Sequence, residues 1–343
     1  MARGDARRAR VASVAAVTWR DGVHLTGTPI WCDARRRRDV CFVSAADRVG
    51  RAEHGQLIAT EVTLKALGAG AGRTGNLSVP LRKRFTLGTV RLELIASGRG
   101  PGAAALHVDS AGRTVLYAGG VRVEAVPGAD LATAEVRTCD AVCVLAPEGA
   151  AYEYPPLAGV VDATIAWTRA ALGRGVRPIL LVDTALDGLE VATALARADI
   201  DVAAGTATRS IAALTSARVS LWSAHGLPGL GASTPLAAPN RVPRAVVALP
   251  GERATVAKRL AHATCVTAVV SWRAVLGPTD TDAAFAWPST AGRRALLAWI
   301  ESTTAREVFV TGAGAEAIAG AIGPRARVIG PPRQMVLFPR EAS

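Results

Sequence analysis

DVCFVSAADRVGRAEHGQLIAT, residues 39–60, is the stretch on which the fold turns. An apolar run from Val40 to Ser44 enters a short polar turn, and a second apolar run, Gln56 to Thr60, follows it. That is how a strand reads when its exit loop carries chemistry. The turn itself, Ala45-Ala46-Asp47-Arg48, holds no histidine and a single carboxylate, Asp47. It has the place of an active-site loop without the usual groups.

Working outward, strand follows strand from residue 19 to about 146: PIWCDA, VCFVS, QLIAT, TVRLELIAS, AAALHVDS, RTVLYAGG and AVCVLAP are apolar or alternate with period two. One helix, Glu61 to Leu67, interrupts them. The glycine-rich segment Gly68 to Asn76 is a loop; it lacks the Gly-Lys-Ser/Thr ending of a phosphate-binding loop and follows a helix. After Pro155-Pro156 helices and strands alternate, which implies parallel pairing through crossovers. From Thr281 onward the helix near Arg293 to Thr303, the strand EVFVT, the helix Ala315 to Ile322 and the strand ARVIG are too few for a core of their own. They are expected to return to the first unit. The expected class is therefore α/β (α+β), with a basic arm at 1–18, a first unit at 19–158, an inserted doubly wound unit at 159–280 and a return at 281–343.

The chain has 343 residues, half of them hydrophobic and 20% charged, a globular balance with room for two cores. No apolar run approaches the roughly 20 residues of a membrane span; Val176 to Leu186 is broken by Arg177, Pro178 and Asp183. The expected location is the cytoplasm. The arginine-rich start with its short apolar patch, Val11 to Val17, lacks a convincing cleavage site and reads as an arm leading into a strand. Cys32, Cys41, Cys139, Cys143 and Cys265 form an odd set without a CxxC, mostly in apolar runs, and read as buried thiols. Net charge is +12, and only Lys65, Lys83 and Lys258 among the 40 basic side chains are lysine. The excess of basic over acidic groups makes a polyanion a candidate partner. Its densest clusters are Arg35, Arg36, Arg37 and Arg38, and Arg82, Lys83 and Arg84, all in expected turns that read equally well as solvated loops.

The segments GVHLTGTPIWCDA, VCFVS, LIATEVTLKAL, RFTLGTVRLELIASG, TVLYAGG, CDAVCVLAPEG with YEYPP, and AREVFVTGAGAEAIA with GPPRQMVLF resemble the metallo-β-lactamase/β-CASP nucleases. The likeness is to bacterial ligase-associated exonucleases and to relatives of mRNA 3′-end processing factors. It implies a metallo-β-lactamase αββα sandwich carrying an inserted β-CASP-like parallel sheet. It also implies two zinc ions, one readying water and one steadying the departing oxygen. In this chain the matched ligand positions are emptied. The HxHxDH turn is replaced by Ala45, Ala46 and Asp47, and a Gly-His by Gly98-Arg99. The metal-bridging aspartate is Gly120 and the acidic residue after VCVL is Ala146. Ser-Asp-His becomes Pro288-Ser289-Thr290, and Thr-His-Gly becomes Thr311-Gly312-Ala313. Carboxylates and imidazoles clustered around an absent dication are costly to bury, and small neutral residues remove that cost. No zinc or other cofactor is expected.

Arg99 has two readings. Its guanidinium projects into the vacated space and, with Ala313 and Gly314 at a helix start, binds an anion such as phosphate; or it turns to solvent or pairs with Asp47. His24, His54, His107, His225 and His262 are scattered and do not rebuild a site. Gly312 to Ala317 copies the GxGxxA dinucleotide fingerprint, but no acidic residue closes the next strand. Ser223 and His225 lack a nucleophile elbow, and the tryptophans sit in apolar runs as expected core. The expectation is a catalytically silent homologue of an RNA or DNA exonuclease that binds nucleic acid or partners an active nuclease paralogue or a DNA-repair or RNA-processing protein. The alternatives are a phosphodiesterase with an altered metal site and an anion-binding protein.

Overall fold

The structure is a computed structural model and describes residues 15–48, 53–68, 75–126, 132–215, 222–223, 244–260 and 263–331. The first sheet is built by β1 (Val17–Trp19), β2 (Val23–Leu25), β3 (Ile30–Cys32), β4 (Val40–Phe42) and β5 (Gln56–Ala59), then, after helix α1 (Glu61–Ala66), by β6 (Leu77–Ser78). The order is sequential, antiparallel from β1 to β3 and parallel from β3 to β6. β7 (Arg84–Leu87), β8 (Val90–Ala96), β9 (Ala104–Ser110) and β10 (Arg113–Gly119) form an antiparallel meander, to which β11 (Ala141–Leu145) adds in parallel.

The middle of the chain then makes another sheet. It comprises α2 (Leu157–Gly173), β12 (Arg177–Val182), α3 (Ala185–Arg197), β13 (Val202–Ala204), α4 (Thr206–Leu214), β14 (Trp222–Ser223), β15 (Ala245–Ala248), α5 (Arg253–Arg259), β16 (Cys265–Ser271) and β17 (Ala283–Ala286). Its order is β14-β13-β15-β12-β16-β17, parallel throughout. The chain returns through α6 (Arg293–Ser302), β18 (Glu307–Thr311), α7 (Ala315–Ile322) and β19 (Ala326–Val328), and β18 pairs in parallel with β11. The second sheet thus runs β19-β18-β11-β10-β9-β8-β7.

Period-two burial decides how the first two sheets sit. Leu25, Ile30, Phe42 and Ile58 of the first pack against Leu92, Leu94, Leu106, Tyr117, Cys143 and Phe309 of the second. The alternate residues Leu116, Val142, Val144, Val308 and Val310 point the other way, onto Leu296, Trp299 and Ile300 of α6 and Ile318 of α7. Leu64 of α1 covers Cys41 and Ala59 on the outer face of the first sheet. Two sheets face each other with helices outside, as sheets apolar on both faces must bury both. In the third sheet, Leu180, Val182, Val202, Val247 and Val270 meet α2 and α3, while Ile179, Leu181, Val246 and Ala248 meet Val256 and Leu260. Both its faces are covered, which explains its unbroken apolar strands.

The chain is a mixed α/β protein. Among the described residues no helix is long and apolar enough to cross a membrane. Two boundaries differ from those read in the sequence. β1 begins at Val17, inside the segment read as an arm, because Val17 inserts into the sheet–sheet core. β17 pairs with β16 although it lies beyond residue 280, because Phe285 closes the third sheet's core against Trp167. Most of the Gly68–Asn76 loop, residues 1–14 of the arm, His225, His262 and nearly all of the C-terminal tail lie outside the described residues, as does the side chain of Ser223.

Candidate functional site

The exits of β4, β8 and β10 come together at one end of the second sheet, against the start of α3. Two glycines make the approach possible. Gly98 has φ +76°, and a Cβ there would collide with the Arg122 carbonyl oxygen, so the chain segments carrying Arg99 and Arg122 run side by side. At Gly119, φ +59°, a Cβ would lie 2.5 Å from Ser44 Oγ, so the end of β10 abuts the exit of β4.

Arg99 is the centre of what results. Its side chain is 1% exposed. Nη2 donates to Asp47 Oδ2 at 2.8 Å and to Thr184 Oγ1 at 3.1 Å, and Nη1 donates to Asp187 Oδ1 at 3.2 Å. Thr184 caps α3: its Oγ1 accepts from Asp187 N at 3.2 Å and donates to Asp187 Oδ2 at 2.7 Å. One turn along, Glu190 lies 2.5 Å from Arg122 Nη1 and accepts from Trp287 Nε1 at 3.3 Å. The Arg122–Glu190 contact is a charge contact without aligned hydrogen bonds, since no guanidinium nitrogen of Arg122 has a hydrogen-bond partner among the described residues. Arg48 Nε lies 3.7 Å from Asp47. Beside this network Asp183, at the carboxyl end of β12, accepts from Ser271 Oγ at 2.5 Å and Arg273 Nη1 at 2.8 Å. Behind it Asp33 accepts from Ser44 N (2.8 Å), Ser44 Oγ (2.6 Å) and Tyr117 OH (2.8 Å).

Burial sets the electrostatics and the arginines oppose it. Burial acts to raise the Asp47 carboxyl, yet the Arg99 and Arg48 guanidiniums outweigh it and hold the group below the usual carboxylate range. Burial works against the charge on Arg99, but the Asp187, Asp47 and Glu190 carboxylates raise its pKa further. Glu190 goes the other way: burial pushes it up despite Arg122 and Arg99. Burial also raises Asp183 and Asp33, against their hydrogen bonds.

The structure therefore brings Asp47, Arg99, Gly120 and Thr290 into one group; a Cβ on Gly120 would lie 3.0 Å from Thr290 Cγ2 and 3.7 Å from Arg99 Cδ. Ala45 is buried and Ala46 half-buried in the same turn. Ala146, Gly312 and Gly314 form a neighbouring backbone group at the ends of β11 and β18, where Gly314 N donates to Ala146 O at 3.0 Å. Ser289 is half-buried, and Ala313 is exposed. Of the two readings of Arg99, pairing with Asp47 is the one observed. Its charge is met by two carboxylates and Gly314 N–H is already engaged, so an anion held by Arg99, Ala313 and Gly314 does not fit this geometry.

The basic clusters are largely engaged too. Arg36 pairs with Asp21 at 3.1 Å, and Arg38 lies 4.0 Å over the Trp31 ring. Arg82 pairs with Glu135 and Arg84 with Glu93. Arg35, Arg37 and Lys83 are exposed. His24 and His54 flank Trp31 and Arg38, bonded to Thr28 O and Arg38 N. Among the described residues no group of three His, Cys, Asp or Glu could hold a metal. A cavity of about 40 Å³ lies beside the network, lined by Arg122, Glu153, Tyr154, Thr290 and Gly292 among others. It has room for a few waters and not for a nucleotide.

Sequence reading passed over Arg122, Asp187 and Glu190. The signal was present: Asp187 and Glu190 stand three apart, hence on one face of an otherwise apolar helix, and Arg122 stands between two valines.

Fold and site together define a mixed α/β protein whose strand exits are joined to an inserted parallel sheet by an internal guanidinium–carboxylate network. No family model matches the chain, and no curated protein matches it. Among solved structures, a protein of unknown function from Enterococcus faecalis V583 is similar, with 12% identity and a TM-score of 0.51 over 86% of this chain and 80% of that one. At that identity the likeness speaks to the fold alone.

Proposed function

We propose that this chain is a catalytically silent relative of the metallo-β-lactamase/β-CASP nucleases that works by binding nucleic acid. The layered arrangement supports the reading: two facing sheets flanked by helices, with a parallel sheet inserted before the last strands. One observation carries it. Where a dinuclear centre needs converging imidazoles and carboxylates, the strand exits present two buried guanidiniums, Arg99 and Arg122, matched by Asp47, Asp187 and Glu190. A guanidinium cannot deprotonate to ligate a metal. The residues present do not fit zinc, so no catalytic step is drawn through it.

Two fixed cations instead satisfy the carboxylates internally, and the excess charge of +12 supplies the attraction for a polyanion. The test is elemental analysis of the native protein with a nuclease assay and a salt titration of oligonucleotide binding. The expected result is no stoichiometric transition metal, no chelator-sensitive hydrolysis and binding that weakens steeply with salt. Bound metal at one or two ions per chain with turnover lost to chelator would overturn the silent reading; absence of any oligonucleotide binding would overturn its nucleic-acid part.

A further inference from the structure

The sequence placed nucleic-acid contacts in the loops around residues 35–38 and 82–84, where the structure engages most of the arginines internally. A different surface has the required chemistry. Tyr152 follows the short 3₁₀ turn Glu148–Ala151 and stacks on Trp272, with ring centroids 6.0 Å apart and planes at 25°. Gly149 backs the indole closely enough that a Cβ there would sit 3.1 Å from it, so Trp272 is braced by the chain. Tyr152 is 36% exposed, and Trp272 is half-buried.

Three arginines lie next to it in the fold. Arg273 lies 5.0 Å from the Trp272 centroid with a 58% exposed side chain, tethered on one side to Asp183. Arg293 and Arg294 open α6, and their backbone N–H groups bind Tyr152 O at 2.9 Å and Glu153 Oε1 at 3.1 Å. Both are exposed, and among the described residues neither side chain has a hydrogen-bond or ion-pair partner. The first turn of α6 contains no acidic residue and Gly292 offers no side-chain cap. Two unpaired cations at the positive end of a helix repel its dipole, a cost that an external anion removes. The carboxylate at hand, Glu153, is spent on the helix N–H. The position is also where parallel α/β sheets bind ligands: Asp183 and Arg273 follow the carboxyl ends of β12 and β16, at the point where the crossovers of the third sheet diverge.

We infer that Tyr152, braced by Trp272, is a stacking platform for a base of single-stranded nucleic acid, and that Arg273, Arg293 and Arg294 take the adjoining phosphates. An aromatic face with flanking arginines is the arrangement that holds single strands without reading sequence. The inference rests on the nucleic-acid part of the function proposed above.

The test is fluorescence anisotropy of the full chain with a labelled oligouridylate and with an abasic oligomer of equal length, for the wild type, Tyr152→Ala, Tyr152→Phe and an Arg293→Ala/Arg294→Ala double variant. Melting temperatures check that each variant is folded. Wild type is expected to prefer the base-bearing oligomer by about tenfold, Tyr152→Ala to lose that preference and Tyr152→Phe to keep it. The arginine double variant is expected to lower the slope of log affinity against log salt by about 1.4, two phosphate contacts' worth on a single strand. If Tyr152→Ala binds like the wild type, this site is wrong while the proposed function stands. If the wild type binds neither oligomer, both fail. Competition by polyglutamate as strong as by oligouridylate would replace a nucleic acid with an acidic peptide and overturn the inference.

Discussion

At the scale of the residue, Arg99 is bound on two sides by the carboxylates of Asp47 and Asp187. The Asp187 side chain is 3% exposed and that of Asp47 18%, so removing the guanidinium strands charge in a low-dielectric setting. Breaking one partner of a buried pair costs roughly 3–5 kcal/mol, whereas replacing the whole group by apolar residues of like volume is often neutral. Arg99→Met should therefore lower the unfolding free energy by about that range in urea titrations, and Arg99→Met with Asp187→Leu should recover much of it. A double variant no more stable than the single would show that the pair is not the source of the loss. Arg99→Lys should not rescue, because a single ammonium cannot span Asp47, Thr184 and Asp187 as the planar fork does. Here the sequence was half legible. Arg99 and Asp47 are each legible as charges at strand exits, but Arg99's other partners, Thr184 and Asp187 at the start of α3, lie 85 and 88 residues away, and linear spacing carries no information about such pairs.

At the scale of the element, α3 is the piece that turns a ring of strand ends into a closed site. Thr184 caps it in extended conformation, φ −136° and ψ 163°, and the same hydroxyl touches Arg99. Losing an N-cap oxygen costs roughly 0.5–2 kcal/mol by itself. Thr184→Ala should fall at the upper end of that range and Thr184→Ser near zero, since serine keeps the oxygen; equal losses for both by thermal unfolding would remove the cap from the account. Elements of this kind were largely readable. Strands β8 to β11, β18 and helix α7 follow from period and composition, because those segments run five to eight residues. Strands β1 and β2, VTW and VHL, each have a polar residue at their centre and carry too little pattern to be seen, and β17 joins its sheet through Phe285, a tertiary contact. The start of α3 at Ala185 is hard to see in the sequence because Asp187 and Gly188 break the apolar run that marks a helix.

At the scale of the whole molecule, the network makes stability depend on acid in two opposed ways. Asp47 titrates below its ordinary value of 3.8 in the fold. The unfolded chain then binds more protons, so its contribution is full above pH 3.8 and is lost as pH falls through the lower folded value. Glu190 is raised above its ordinary 4.5 by burial. In the window from 4.5 up to that higher value the fold binds more protons than the unfolded chain, so stability declines as pH rises through it. Asp183 and Asp33, raised likewise, add in the same sense. Unfolding free energy should thus pass through a maximum in mild acid, falling on the acid side through Asp47 and on the neutral side through Glu190, Asp183 and Asp33. Asp47→Asn should make the acid limb shallower and leave the neutral one, while Glu190→Gln should make the neutral limb shallower, with Asp183 and Asp33 keeping the rest of it. Urea unfolding of the wild type and both variants from pH 3 to 8 measures this; the limbs respond separately only if the two carboxylates are held as described, one by guanidiniums that outweigh burial and the other by burial that outweighs its guanidinium.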